Sequence, residues 1–217
     1  MRRPFWRAWL MWGELRQEIA RMGRPGTMRY VAHGWPLRPA ECPCDVDFCD
    51  YLQARGVRGQ RIFHFGTGRH HHVGLHNYQA RWHNDILGLT LSPREHAAYV
   101  RRVIREPALA AGYKVLFADI YSLKPATLPE FDLVSLFHLC EFGDPASAAR
   151  VLDDAGVLRT FVSRLAPGGR LLLYRGSFGY RRAAALVAEL AAAGQLRQVE
   201  DFASLSIYRV PGVPAHA

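Results

Sequence analysis

From residue 61 onward, short apolar runs alternate with stretches of helical periodicity. The runs cover 61–65, 86–91, 113–118, 131–137 and 170–174. Between them, the pattern predicts helices over 93–105, 147–165 and 180–193. An irregular passage follows Gly68 and a loop follows Asp119. Strands that read as nearly continuous apolar runs are covered on both faces, and alternation with helices makes them parallel. The stretch 196–210 reads differently, as two short strands around Asp201–Ser204, which predicts an antiparallel hairpin at one sheet edge. The fold class expected is therefore α/β, a doubly wound, mostly parallel sheet with an antiparallel C-terminal edge.

The first 57 residues lack this rhythm and form an N-terminal helical and irregular extension, with a second unit expected over 58–217. Residues 1–24 have helical amphipathicity. Phe5, Trp9, Trp12 and Ile19 share a face, and Arg3, Arg7, Glu14, Glu18 and Arg21 lie opposite. Such a face suits packing on protein, or an Arg/Trp-rich contact with a membrane surface. Residues 28–60 hold Pro36, Pro39 and Pro43 and a predicted short helix over 47–55.

Composition narrows the class. The chain has 217 residues, 49% hydrophobic and 22% charged, with a formal charge of +9. That suits a well-buried domain. Among the 28 basic residues only Lys114 and Lys124 are lysine, and the arginines are dispersed. This spread argues against a nucleic-acid tail despite the charge. No run is long enough to span a bilayer and the N-terminus makes a poor signal peptide, so a cytoplasmic setting is expected, with contact at the inner membrane surface as an option. The cysteines are Cys42, Cys44, Cys49 and Cys140, expected to be reduced there.

Five landmarks then fall in a recognisable order. Ile62-Phe-His-Phe-Gly-Thr-Gly68 is a strand entering a glycine turn. Ile86-Leu-Gly-Leu-Thr-Leu-Ser92 leads into Pro93-Arg-Glu-His96. Val115-Leu-Phe-Ala-Asp-Ile120, Phe131-Asp-Leu-Val-Ser-Leu-Phe-His138 and Leu165-Ala-Pro-Gly-Gly-Arg-Leu-Leu-Leu173 complete the set. Over about residues 58–210 this order resembles the class I S-adenosylmethionine-dependent methyltransferases, a Rossmann-like fold. The second landmark is similar to the branch that contains cyclopropane-fatty-acid synthase and related small-molecule enzymes.

The resemblance implies S-adenosylmethionine as cofactor and a small-molecule or lipid-like acceptor. Gly66, Thr67 and Gly68 would let backbone pass close to the methionine part. Thr90 and Leu91, at the second strand's end, would meet the ribose. Asp119 would accept from the adenine amino group, with Ile120 beside the ring. Phe137 would lie where substrate and cofactor meet. His138 and Glu141 are the candidates for a base that takes the acceptor's proton.

Three positions depart from the family pattern. His64 stands where an acid commonly orients the glycine turn, His70 where a third small residue is usual, and Thr90 where a carboxylate often takes the ribose. The departures keep a second reading open: an inactive methyltransferase-like subunit or assembly factor, docking through residues 1–57 to a protein or membrane complex. Two sets have the residue types of metal ligands: Cys42, Cys44 and Cys49 with His33, and His72 and His76 at i,i+4 spacing with His83 and His138 as further ligands. Neither set completes a known motif, and no metal is assigned from sequence.

Overall fold

The computed structural model describes residues 34–142 and 151–212. The predicted helix over 1–24, His33 and the first residues of the predicted 147–165 helix lie outside this range. Seven strands form one sheet: β1 (Arg61–Phe65), β2 (Asp85–Thr90), β3 (Tyr113–Phe117), β4 (Phe131–Ser135), β5 (Leu165–Tyr174), β6 (Arg197–Phe202) and β7 (Leu205–Arg209). Their order is β3-β2-β1-β4-β5-β7-β6. The first five pair in parallel, and β7 joins β5 and β6 antiparallel, as the edge hairpin expected from sequence. The helices are α1 (Cys44–Ala54), α2 (His72–Gln79), α3 (Pro93–Arg105), the single turn α4 (Leu109–Gly112), α5 (Asp154–Val162) and α6 (Tyr180–Ala192).

Alternation along each strand builds a core on both faces of the sheet. Phe63, Val134, Leu171 and Leu173 face one layer with Phe161 of α5 and Val187 of α6. Ile62, Leu133 and Leu172 face the other, with Phe48, Tyr51 and Leu52 of α1 and Val73 of α2. Each of these side chains is almost fully buried. The segment that read as irregular thus contributes a helix to the core. It starts at Cys44, three residues before its expected start, because Pro43 takes the N-cap position and Asp45 and Asp47 lie in the first turn, where acids suit the helix dipole. Asp47 also ties α1 to the last hairpin, accepting from the Ser204 backbone N–H at 3.1 Å.

Helix boundaries follow local capping. Ser92 starts α3 by accepting from the Glu95 N–H, with Pro93 in the first turn. Asp153 caps α5 in the same way through the Gly156 N–H, so that helix begins later than its apolar periodicity suggested. β4 ends at Ser135 rather than 137, since the chain turns through Leu136–Cys140, with Cys140 at φ 70°. That turn carries His138 over the sheet's end. No helix among the described residues is long and apolar enough to cross a membrane.

Candidate functional site

A cavity of about 510 Å³ opens at the carboxyl ends of β1 to β5. The strand order reverses between β1 and β4, and a doubly wound sheet opens a crevice at such a point. Eight sequence-predicted residues line the cavity: Gly66, Gly68, Thr90, Leu91, Asp119, Ile120, His138 and Glu141. Thr67 and Phe137 do not. Thr67 is buried beneath the turn, its methyl group against Gly88. Phe137 packs edge-on to Phe48 in the core, ring centroids 5.5 Å apart.

The glycine turn takes a left-handed backbone, φ 88° at Gly66 and 55° at Gly68, which glycine adopts at little strain. The His70 ring lies directly over the second glycine: a Cβ built on Gly68 would stand 2.3 Å from His70 Nε2. His138 lies beside the first, its Cδ2 3.6 Å from a Cβ built on Gly66.

The three consecutive histidines diverge. His71 turns inward. Its Nε2–H donates to the Glu95 carbonyl at 3.0 Å, which leaves Nδ1 to accept the Tyr113 hydroxyl at 2.8 Å. Burial drives the His71 imidazole down to about 4, so it stays neutral. His72 lies beside His76 on α2, ring centroids 5.7 Å apart and tilted by 57°, with Cys49 of α1 close to both. His70 faces Asp45, Nδ1 to Oδ2 3.7 Å.

Asp45 explains the histidine at position 64. Its Oδ1 is 3.5 Å from His64 Nε2, while His64 Nδ1 bonds Ser135 Oγ at 2.8 Å. An acid of α1, Asp45, thus stands against two histidines behind the glycine turn. Burial alone would raise the Asp45 carboxyl; the neighbouring histidines, His64 foremost, hold it below the usual range.

The end of β2 holds a second acid. Thr90 Oγ1 donates to Glu95 Oε2 at 2.6 Å and accepts from the Ser92 N–H at 3.0 Å. Glu95 Oε1 accepts from the Trp35 N–H at 3.1 Å. Burial pushes the Glu95 carboxyl upward. Glu95 lines the cavity, so a carboxyl does stand beside Thr90 there. The Ser-x-x-Glu spacing of Ser92 and Glu95 marks a helix start just past β2, the signal that could have placed this acid. Beyond β3, Asp119 Oδ1 accepts from the Tyr121 N–H at 3.1 Å.

Opposite stand Cys42, Cys44, His138 and Glu141. His138 Nδ1 lies 3.2 Å from Glu141 Oε2, and Ser177 Oγ donates to Glu141 Oε1. Burial opposes charge on His138, but its contacts with Cys42 and Glu141 prevail and raise it to about 10. The Cys44 thiol, aided by His138, lowers Cys42 to about 5 against the effect of burial. Near neutral pH His138 therefore holds its proton. It can donate a proton or balance negative charge there, whereas its ordinary titration range had suggested a base.

No family model and no curated protein sequence matches the chain. Solved structures do. NodS, an N-methyltransferase of Bradyrhizobium japonicum WM9, aligns over 84% of this chain and 95% of its own at 18% identity, with a TM-score of 0.56. The cyclase SpnF aligns over 87% and 89% at 19% identity, with a TM-score of 0.55. The rRNA methyltransferase RsmC of T. Thermophilus aligns over 82% and 44% at 18% identity, with a TM-score of 0.51. The chain shares the Rossmann-like fold of these methyltransferase structures. A cyclase among these structures illustrates that the fold does not fix the reaction.

Proposed function

We propose that this chain is an S-adenosylmethionine-dependent methyltransferase for a small, largely apolar acceptor. The observation that carries the reading is one continuous cavity bordered by the Gly66–Gly68 turn, Glu95, and Asp119 with Ile120. Its volume of about 510 Å³ falls within the range of small-ligand sites. The donor set fits an adenosine. Asp119 and Ile120 would hold the adenine, and Glu95 with Thr90 and Leu91 the ribose. The methionine end would pass between the glycine turn and His138, where His70 narrows the space. NodS and RsmC were crystallised with S-adenosyl-L-homocysteine and AdoMet respectively, which supports the same choice here. When bound, this cofactor supplies an electrophilic methyl group.

The protein's own part is to position the acceptor and exclude water. Phe142, Phe178 and Trp35 give the cavity an aromatic border suited to an apolar or lipid-like acceptor. His138, oriented by Glu141, would meet the acceptor's reacting group. Calorimetry with S-adenosylhomocysteine tests the reading. Binding by the wild-type chain, weakened about tenfold or more in Asp119→Ala, agrees with loss of one good polar contact. No heat and no thermal stabilisation at millimolar ligand would exclude it.

One observation favours a second reading. The His70 ring against Gly68 occupies space beside the turn that the cofactor's amino-acid end would need. A methyltransferase-like subunit or assembly factor, docking through residues 1–57 to a protein or membrane complex, needs no such space. Liposome flotation of the full chain and of a chain lacking residues 1–24 tests the membrane branch. Equal behaviour of the two excludes a lipid contact through that segment.

A further inference from the structure

Cys42 and Cys44 flank Pro43 at the start of α1, and both face the cavity wall where His138 arrives from the end of β4. Their sulfurs are 3.4 Å apart. His138 Nε2 lies 4.0 Å from Cys42 Sγ and 3.9 Å from Cys44 Sγ. A tetrahedral zinc ion with ordinary Zn–S and Zn–N bonds separates two sulfurs by about 3.8 Å and sulfur from nitrogen by about 3.6 Å. The three atoms already form nearly that triangle. We propose that Cys42, Cys44 and His138 bind one zinc ion, with a fourth coordination position open to the cavity.

The surroundings match what such an ion requires. The far nitrogen of His138 is held by Glu141, itself fixed by Ser177. A carboxylate on the second ring nitrogen is the usual device for aiming a histidine at zinc. The cysteines lie at the N-terminal end of α1, whose dipole favours anionic sulfur. Two sulfurs and one imidazole suit zinc rather than magnesium or calcium, which take oxygen. Three protein ligands with one open position is the pattern of reactive rather than purely structural zinc. The open position would accept a thiolate, an alkoxide or water from the cavity. The site shares His138 with the methyl-donor reading, while Cys42 and Cys44 have no part in that reading; metal content is measured without any methyl donor, so either reading can fail alone.

A second set, Cys49 with His72 and His76, also lies within ligand distance and provides the internal control. The full chain is purified under reducing conditions in zinc-supplemented medium, and its metal content is measured by mass spectrometry. One equivalent of zinc is expected. Cys42→Ser and His138→Ala should each reduce the content by about tenfold or more, and Cys49→Ser should leave it unchanged. Glu141→Gln should weaken zinc affinity by about tenfold without abolishing binding. Titration of the zinc-free wild-type chain with cobalt(II) should give a sulfur-to-metal charge-transfer band and the intense visible bands of tetrahedral cobalt. Absence of zinc and of that band from the wild type overturns the proposal, whether or not the variants fold. Zinc retained in Cys42→Ser and His138→Ala, or lost equally in Cys49→Ser, overturns it as well.

Discussion

The Asp45 carboxylate stands 3.5 Å from Nε2 of His64, joining the first turn of α1 to the middle of the sheet. Both side chains are almost completely buried. His70 flanks the same carboxylate, Nδ1 to Oδ2 3.7 Å. Asp45→Asn should therefore lower stability by about 1–3 kcal/mol, the range for a buried polar group left badly paired. Urea unfolding measures this directly. An unchanged midpoint would show that α1 does not depend on the contact.

His70 sets the width of the cavity beside the glycine turn. If the cofactor lies there, His70→Ala should tighten S-adenosylhomocysteine by about tenfold, equivalent to about 1.4 kcal/mol. Gly68→Ala should do the reverse and also destabilise the chain, because its φ of 55° and its contact with the His70 ring leave no room for a methyl group. Calorimetry on both variants checks the pair of outcomes. Equal affinity in His70→Ala and wild type would mean that the ring is not in the ligand's way.

His71 makes stability depend on acid pH. Its folded value of about 4 lies below the ordinary 6.5, so the unfolded chain takes the proton first as pH falls. Stability from this group is full above pH 6.5 and erodes toward pH 4, by up to about 1.4 kcal/mol per unit. His70 and His72 are also held down by burial and act in the same direction. The difference between wild type and His71→Phe isolates the one residue. Urea midpoints from pH 7 to 4 should fall less steeply in the variant, and parallel curves would refute the assignment.

Gly74 marks how tightly α2 lies on the sheet. A Cβ there would come within 2.4 Å of the Tyr113 ring. Gly74→Ala should thus destabilise the fold by about 1–3 kcal/mol, despite alanine's better helix propensity. Thermal denaturation provides the check, and a stabilised variant would show that Tyr113 can move aside.

The sheet was legible because its strands are buried on both faces, so Ile62, Phe63, Leu133 and Val134 form apolar runs that no exposed segment would carry. Gly66, Leu91, Asp119 and His138, just past β1, β2, β3 and β4, line the cavity at the strand ends where the order of the landmarks put them. Asp45, Glu95 and the Cys42–Cys44 pair were not placed at the site. Glu95 lies in the helix opening Pro93–His96, where only its Ser-x-x-Glu spacing from Ser92 points to it. Cys42 meets His138 across 96 positions of sequence, and only the docking of α1 brings them together. His64 and Thr90 each have an acid from a neighbouring helix beside them, Asp45 and Glu95, which the residues at 64 and 90 do not themselves reveal.

The bond between Asp47 and Ser204 gives the cavity a temporal order of assembly. It joins residues 157 positions apart, so it forms only after the chain has been made through Ser204 and has collapsed. Contacts this distant in sequence carry a large closure entropy and tend to form late. Cys44 and Asp45 ride on the same helix as Asp47. The tie from the wall they build to the β6–β7 hairpin should therefore close last, after the parallel strands have paired. A chain cut before β6 would lose this tie and keep the packing of α1 against β1 and α2.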